Sequence, residues 1–528
     1  MTLSYPAIVV APGTVFSRLE VSVMKRLSVG LVVGLTTFVP PMALGQVDHY
    51  RIDQSHIGLI NLGSVHIPGG VEIVSFDSMT GRIYAIGSSG WMVFDFNEAN
   101  RFSVIDSGVY SSTEQWEPTS IAIDPAERGF VVCSWIPNPS DRVPGMAQVL
   151  DTQDNQVVWQ FEIGYHPDCL AFSPDGRYLI AANECEPGIE DRAGGITIVD
   201  LDRINTSKDF AGLNDVRTFD FSPENLGDGV SLDALRIGSK LKATPEIDIE
   251  PEYLAPTNDG VWVGLQENNG LAYFDFELNK WTRVQSLGSL SLAFDSNDGD
   301  GVNITTQAGF ALLPQPDTIA ATAIGDRTYI VFANEGEGAD ADTTRLEDAI
   351  DEGLIDRNAI ARLHRSYPGE AFSKLGRVWI STIDGDLDQD GDIDVPSVLG
   401  GRSFSIIDAQ DGSLVWNSGS QFERITAERW PKQYNSDDSR SDRAGPEPEG
   451  IAIRHIDGRT LVFVGLERAD AVFMYDISNP ETPIFLDAQR LDSACSRPEG
   501  IAFFTMYHRS YLAVASENGG CLTIFEVK

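Results

Sequence analysis

Five aspartates stand at alternate positions in one short segment of the sequence: Asp386, Asp388, Asp390, Asp392 and Asp394. Gly391 is the sixth residue counted from Asp386, where the glycine of an EF-hand calcium loop permits a sharp turn. The twelfth position is Ser397 rather than glutamate, and no flanking helices are evident. We predict that this loop binds Ca²⁺ and braces the fold, the alternative being an acidic turn that binds no ion strongly.

A second acidic segment is a weaker candidate for the same chemistry. It runs from Asp295 to Gly301, and Asp295 and Asn297 would supply the oxygen ligands. Its two glycines suit an ordinary hairpin turn equally well, so ion binding and a simple turn both remain open.

A third group of acids belongs to a phrase that recurs along the chain. The phrase reads Pro, then Glu or Asp, then an Ile-Ala or Leu-Ala pair, and a later apolar strand in each copy ends near another acid. We expect these acids to line one mouth of a central channel, where like charges raise one another's pKa. They are Asp168, Glu184, Glu252, Glu267, Asp317, Glu335, Glu449, Glu467, Glu499 and Glu517.

The channel-mouth acids allow two interpretations. They form a metal or ligand pocket, with Glu267, Glu467, Arg402 and Arg468 as candidate catalytic residues and Arg440 and Arg443 as further anion-binding arginines. Alternatively, each carboxylate accepts backbone hydrogen bonds from a neighbouring repeat and holds the ring together.

The elements that must position these residues are short strands. Apolar and polar residues alternate in runs of five to seven residues separated by glycine turns, as in Ile73–Asp77, Arg82–Ile86 and Trp91–Phe96. Units of this kind that repeat at fixed intervals are typical of a β-propeller. We predict an all-β fold, a single propeller of about seven four-stranded blades, in which a segment around His56 to Val65 pairs with the last blade and closes the ring.

Two insertions interrupt the repeat. In the first, at about 336–374, apolar residues recur at helical spacing, which predicts a short helical insertion. The second, at about 421–446, is polar and charged, and we expect a loop over one face. The propeller itself is predicted over residues 46–528.

Residues 1–45 have the features of an upstream leader and a secretory signal peptide. Met24 is the expected initiator, because Met24-Lys25-Arg26 precedes an apolar stretch from Leu27 to Val39 and a small-residue cleavage site before Gln46. No other apolar segment is long enough to span a bilayer, and no C-terminal anchor is visible. The expected location is extracellular or periplasmic.

The formal net charge is −40. Such a field repels nucleic acid and anionic membranes and favours divalent cations as partners. In an oxidising compartment, two cysteine pairs are candidates for disulfides, Cys169 with Cys185 and Cys495 with Cys521, which leaves Cys133 unpaired. Both pairs can equally be buried free thiols.

Several motifs resemble the choice-of-anchor I family, which includes mesenchyme-specific cell-surface glycoproteins linked to biomineralisation and members labelled alkaline phosphatase. The resemblance implies a YVTN/WD40-like propeller that is extracellular or held at a surface. The motifs are Leu265–Asn269, Ala333–Gly336, Gly401–Ile406, Tyr434–Asp438, Gly445–Gly450 and Val464–Arg468.

The functional hypothesis is a secreted, calcium-braced propeller that acts as a binding or matrix module for cations, a mineral surface or another surface partner. The alternative is a metal-dependent alkaline phosphatase or phosphoesterase, in which a Ca²⁺-type ion at the channel mouth neutralises the oxygens of a phosphate ester and activates water.

Overall fold

The computed structural model describes residues 57–97, 102–110, 116–138, 143–185, 192–210, 213, 215–238, 244–337 and 342–528. The predicted leader, residues 1–45 with the expected start at Met24, lies outside the described residues.

The fold is a seven-bladed β-propeller of four-stranded antiparallel sheets, which confirms the predicted fold class. The strands are given from the innermost outward. Blade 1 contains Ile73–Asp77, Arg82–Gly87, Gly90–Phe96 and Phe102–Gly108. Blade 2 contains Trp116–Ile123, Phe130–Pro137, Met146–Asp151 and Val157–Glu162. Blade 3 contains Pro167–Phe172, Tyr178–Asn183, Gly195–Asp200 and Val216–Asp220.

The other four blades follow the same order, except that the outermost strand of blade 7 comes from the start of the described chain. Blade 4 contains Leu254–Pro256, Gly260–Leu265, Gly270–Asp275 and Lys280–Ser286. Blade 5 contains Pro316–Ile324, Arg327–Asn334, Ser403–Asp408 and Leu414–Asn417. Blade 6 contains Pro448–Ile456, Arg459–Leu466, Ala471–Asp476 and Ile484–Arg490. Blade 7 contains Ser496–Met506, Arg509–Asn518, Cys521–Val527 and Leu59–His66.

The ring closes without a gap, because the innermost strand of every blade contacts the innermost strands of both neighbouring blades. Leu59–His66 pairs antiparallel with Cys521–Val527, so the expected closing strand is present from residue 59 onward. A disulfide joins Cys495 to Cys521 in the same blade. The other candidate pair does not bridge, and Cys133, Cys169 and Cys185 are free thiols.

Apolar side chains fill the space between neighbouring sheets. Phe463 and Met474 of blade 6, for example, pack in one cluster with Leu512 and Phe525 of blade 7. Side chains on both faces of the inner strands are therefore buried, which explains why these strands are apolar in long runs.

The aspartates that end the third strands have a local structural role. The carboxylates of Asp200, Asp275, Asp408 and Asp476 each accept a hydrogen bond from the backbone N–H two residues further on, at 2.8–2.9 Å. Such Asx turns start the connection to the outermost strand.

The first insertion lies between the second and third strands of blade 5 and contains three short helices: α2 (Leu346–Asp351), α3 (Arg357–Ser366) and α4 (Glu370–Leu375). Another, α1 (Pro245–Asp248), precedes blade 4. Three two-stranded sheets complete this region: Ala293–Phe294 with Thr305–Thr306, Ala311–Leu313 with Ser397–Leu399, and Thr343–Arg345 with Trp379–Ser381. Short 3₁₀ helices span Ser207–Phe210 and Glu467–Ala469.

The second insertion differs from the expected loop, because it begins with a helix, α5 (Gln421–Arg429). Phe422 and Ile425 of α5 are fully buried and pack into the apolar cluster shared by blades 5 and 6. The many charged residues of this segment concealed the helix, since only two of its side chains are large and apolar and several of its buried residues are polar.

Candidate functional site

The recurring proline-acid phrase forms a β-bulge at the start of the inner strand. The residue before the proline has a left-handed backbone at His166, Gln315, Glu447 and Arg497, with φ between +43° and +57°. The strand register then shifts immediately after the proline, as between Pro448 and Ile451. A bulge re-aims the side chain that follows it, and here it turns the acid towards the channel axis.

These acids surround a cavity of about 520 Å³ at one mouth of the channel. Eight of the ten predicted channel-mouth acids line it: Asp168, Glu184, Glu252, Asp317, Glu335, Glu449, Glu467 and Glu499. Glu337 and Glu447 also line it and were missed. Glu447 immediately precedes the proline of its repeat, and this position in the phrase is the sequence signal that could have identified it.

The structure places the remaining two predicted acids elsewhere. The repeat position in blade 4 is the residue directly after the second strand, which is Gln266, and Glu267 lies one residue too far along and does not line the cavity. Glu335 and Glu467 occupy this position in blades 5 and 6. Glu517 has a side chain 47% exposed and forms an ion pair with Arg497 at 3.2 Å.

One further acid was missed because its blade lacks the proline. Glu72 precedes the inner strand of blade 1 and lines a smaller cavity of about 180 Å³ with Thr119, Asp168 and Glu499. Thr119 occupies the corresponding position in blade 2. Burial, then the charges of Glu517 and Asp168, raise the pKa of Glu72 to about 7.

The carboxyl groups at the centre of the mouth resist ionisation. Burial raises the pKa of each well above its ordinary range, and neighbouring carboxylates raise it further. Among the residues that the structure describes, no lysine or arginine forms an ion pair with any member of this set: Glu252, Asp317, Glu335, Glu449 and Glu499. The mouth therefore needs either bound protons or a cation to relieve its repulsion.

Three of these carboxylates converge. One oxygen from each of Asp317, Glu335 and Glu449 lies within 4.8 Å of the others. Asp317 is only 5% exposed, yet its Oδ2 has no hydrogen-bond partner, and the buried Oε2 of Glu449 has none either. Carboxylate oxygens are the ligands that Ca²⁺ and Mg²⁺ prefer, so this donor set fits a hard divalent cation.

A second convergence shares Glu335 with the first and adds Glu447 and Glu467. Here arginines already supply the positive charge. Arg440 contacts Glu447 at 2.6 Å, Arg468 contacts Glu447 and Glu467, and Arg497 contacts Glu467 at 3.0 Å.

The pKa values of Glu447 and Glu467 are shifted in opposite directions. Burial raises the pKa of Glu467 to about 9, assisted by its hydrogen bond with Glu447. Burial opposes ionisation of Glu447 as well, but its hydrogen bond with Glu467 and the charges of Arg440 and Arg468 outweigh burial and lower its pKa. Three arginines already pair with Glu447 and Glu467, so the Asp317–Glu335–Glu449 group, which has no such partner among the described residues, is the better cation site.

The candidate arginines separate into two groups. Arg440, Arg443 and Arg468 line the cavity. Arg402 does not, because it is 2% exposed and donates to Glu423 Oε1 at 3.0 Å, to the Asp295 carbonyl at 2.6 Å and to the Ser441 carbonyl. Arg402 anchors the turn that follows α5 and cannot reach a ligand at the mouth.

That turn carries Arg440 and Arg443 and has an unusual backbone. Four consecutive residues, Asn435 to Asp438, have φ between +43° and +71°. Left-handed residues cost roughly 1–2 kcal/mol each, so surrounding contacts must hold them. The amide of Asn435 donates to Glu423 Oε1 at 3.1 Å, and the N–H of Ser436 donates to the Arg468 carbonyl at 2.9 Å.

The predicted calcium loop is separate from the mouth and lies between Trp379–Ser381 and Ser397–Leu399. Asp386, Asp388 and Asp394 bring one oxygen each within 4.8 Å of the others, whereas Asp390 and Asp392 are not part of this group. The carboxylate of Asp386 accepts the N–H of Gln389 at 2.7 Å and of Gly391 at 3.0 Å. Calcium binding by this loop stays a prediction.

The weaker candidate segment is held by protein contacts. Asp295 Oδ2 accepts the N–H of Asn303 at 2.6 Å and the hydroxyl of Tyr434 at 3.1 Å. The Asn297 amide donates to the Lys374 carbonyl at 2.8 Å, and its oxygen accepts the N–H of Gly299 at 2.8 Å. These contacts hold the segment against Tyr434 and Lys374, and ion binding by Asp295 and Asn297 stays a prediction.

A protein-family model matches most of the chain. The family model described as the choice-of-anchor I domain matches residues 72–480. The chain is similar to Gigasin-3a of Magallana gigas, 35% identical over 119 residues, which are 20% of this chain and 42% of that protein. It is also similar to the mesenchyme-specific cell surface glycoprotein of Strongylocentrotus purpuratus, 27% identical over 235 residues, which are 37% of this chain and 30% of that protein. The chain thus spans less than half the length of either relative.

Solved structures that are similar over about nine-tenths of the chain include a hydrazine synthase and a virginiamycin B lyase variant. The hydrazine synthase of Kuenenia stuttgartiensis has a TM-score of 0.46 at 12% identity and covers 90% of this chain and 98% of its own. A catalytically inactive variant of the virginiamycin B lyase of Staphylococcus aureus has a TM-score of 0.43 at 9% identity and covers 89% of this chain and 100% of its own.

Proposed function

Since the chain belongs to the choice-of-anchor I domain family, we propose that it is an extracellular surface or matrix module whose channel mouth binds a divalent cation. Its similarity to a cell surface glycoprotein supports the location. Within the described part of the chain, no helix has both the length and the apolar character needed to cross a bilayer. The secretory leader remains a prediction.

The convergence of Asp317, Glu335 and Glu449 carries this proposal. Three largely buried carboxylates whose oxygens lie within 4.8 Å of one another repel strongly when ionised, and none is paired with an arginine or lysine of the described residues. A divalent cation removes that repulsion and leaves further coordination positions open towards the cavity. Ca²⁺ is the favoured ion, because it accepts irregular oxygen geometry more readily than Mg²⁺ does.

Calcium titration by isothermal calorimetry tests the proposal. The double variant Asp386→Asn with Asp388→Asn serves as the background, so that the separate aspartate loop does not contribute. In that background, adding Asp317→Asn should weaken Ca²⁺ binding by about tenfold or more, a loss of roughly 1.4 kcal/mol. Glu267→Gln, which removes an acid that does not line the cavity, should bind as the background does. Equal affinity with and without Asp317→Asn contradicts the proposal.

A metal-dependent phosphoesterase is the alternative hypothesis. The observation in its favour is that Arg440, Arg443 and Arg468 line the same cavity as the carboxylates. Hydrolysis of p-nitrophenyl phosphate that needs Ca²⁺, stops with chelator and falls in Glu467→Gln would establish it. A protein that binds Ca²⁺ at the mouth and shows no such turnover is a binding module. A mineral surface or a matrix component remains the proposed partner of that module.

A further inference from the structure

Arg443 differs from the other arginines at the mouth. The described residues provide no carboxylate partner for its guanidinium group, which lies over the ring of Trp379 with its carbon 4.2 Å from the ring centroid. Arg440 and Arg468, by contrast, are bound to Glu447. Arg443 and Trp379 both line the cavity, so this guanidinium can donate to a ligand there.

The main chain around Arg443 is fixed. The buried Arg402 donates to the carbonyl of Arg443, and the N–H of Arg443 donates to the carbonyl of Arg440 at 3.0 Å. An arginine that stacks on an aromatic ring and is held at its backbone loses little further freedom on binding, and its planar edge suits oxyanions.

We propose that the cavity binds the oxyanion head group of a ligand between Arg443 and the channel-mouth cation. This inference rests on the proposed cation site. Three carboxylates leave coordination positions of the cation open, and one oxygen of a phosphate, sulfate or carboxylate group fills such a position while a second accepts from Arg443.

The charge of the site makes this binding conditional on the cation. Without it, the carboxyl groups around the cavity either keep their protons and offer an anion no positive charge, or ionise and repel it, and Arg443 is a single arginine. With Ca²⁺ bound, the ion and Arg443 together present a positive surface to the ligand. An oxyanion should therefore bind in Ca²⁺ and not in chelator.

Calorimetric titration of the Ca²⁺-loaded full chain with methylphosphonate, sulfate and acetate tests the proposal and separates the three head-group classes. At least one should bind, and Arg443→Gln should weaken it by about tenfold or more while Ca²⁺ affinity changes less than about twofold. Arg345→Gln is the matched control. Arg345 lies against the same Trp379 ring, at 5.2 Å, but pairs with Asp442 and does not line the cavity.

The outcomes separate this proposal from the proposed function. If Ca²⁺ binds at the mouth and none of the three anions binds, the oxyanion proposal is overturned and the cation site stands. Anion binding that is equal in Arg443→Gln, or that persists in chelator, also overturns it. Failure of the Ca²⁺ titration itself contradicts the cation site.

Discussion

The side-chain amide of Gln266 in blade 4 donates to Glu335 Oε2 in blade 5 at 2.9 Å. Gln266 stands at the repeat position where blades 5 and 6 have a glutamate, so an amide replaces what would be another charge. The hydrogen bond stabilises the carboxylate that belongs to both acidic groups of the mouth. Gln266 therefore reduces the repulsion between carboxylates where blades 4 and 5 meet.

Replacing that amide with a carboxylate should make the fold depend on a cation. Gln266→Glu removes a donor and adds a buried charge, so without divalent ions the free energy of unfolding should fall by roughly 1–3 kcal/mol. Added Ca²⁺ should restore more stability to Gln266→Glu than to the parent. Thermal melting in chelator and in Ca²⁺ measures both effects, with Glu267→Gln as a control outside the cavity. Equal melting temperatures of the parent and Gln266→Glu in chelator would show that the amide does not contribute to stability.

Stability in chelator should fall as the pH rises. The pKa of Glu72 is raised from about 4.5 to about 7 and that of Glu467 to about 9, so the folded state binds protons that the unfolded state releases. This contribution is complete below about pH 4.5 and is lost as the pH passes 7 and then 9. Urea unfolding in chelator at pH 5, 7 and 9 measures whether the free energy of unfolding falls as predicted.

Added Ca²⁺ should make the free energy of unfolding less dependent on pH, because it binds the ionised carboxylates and stabilises the folded state most at high pH. Glu72→Gln should reduce the change in the free energy of unfolding near pH 7. If the free energy of unfolding in chelator instead rises between pH 5 and pH 9, charges other than bound protons offset the repulsion between the carboxylates of the mouth.

For the aspartate loop, the structure predicts which aspartates matter for Ca²⁺ binding, which the sequence alone did not. Asp386→Asn with Asp388→Asn should lower the melting temperature in Ca²⁺, because both residues belong to the group of convergent oxygens. Asp390→Asn, which is outside that group, should change it less. If the double variant melts like the parent at every Ca²⁺ concentration, the loop is a turn and not an ion site.

Arg402 should matter for folding rather than for ligand binding. Arg402→Met leaves Glu423, which is fully buried, without its charge partner, and loss of one member of a buried pair costs about 3–5 kcal/mol. Urea unfolding should show this loss, and Arg402→Met combined with Glu423→Leu should recover part of it. A single variant as stable as the parent would show that the pair does not hold the turn after α5.

The repeat predicted the architecture because each copy of the phrase forms one blade. The seven blades and the closing strand follow from the repeating strands. Five of the eight predicted acids that line the cavity follow from reading Pro448-Glu449 and its counterparts as equivalent positions, and the other three are the acids that directly follow second strands, Glu184, Glu335 and Glu467. Glu267, one of the two acids that lie elsewhere, shows the limit of this approach, because it was chosen by residue type where the repeat position belongs to Gln266.

The remaining features depend on contacts between distant segments. Nothing in the sequence around Arg402 distinguishes it from Arg443, yet one is buried against Glu423 and the other lines the cavity. The left-handed turn from Asn435 to Asp438 carries only one weak signal, an Asn followed by Ser and two Asp residues. Glu72 lacks the proline that marks the other acids.

Crystals grown or soaked in Mn²⁺, which substitutes for Ca²⁺ at oxygen sites and scatters anomalously, test the cation site most directly. The account predicts an anomalous peak within coordinating distance of Asp317, Glu335 and Glu449, and loss of that peak in Asp317→Asn. Crystals in which Mn²⁺ occupies other acidic positions while the density between these three carboxylates stays empty would contradict it.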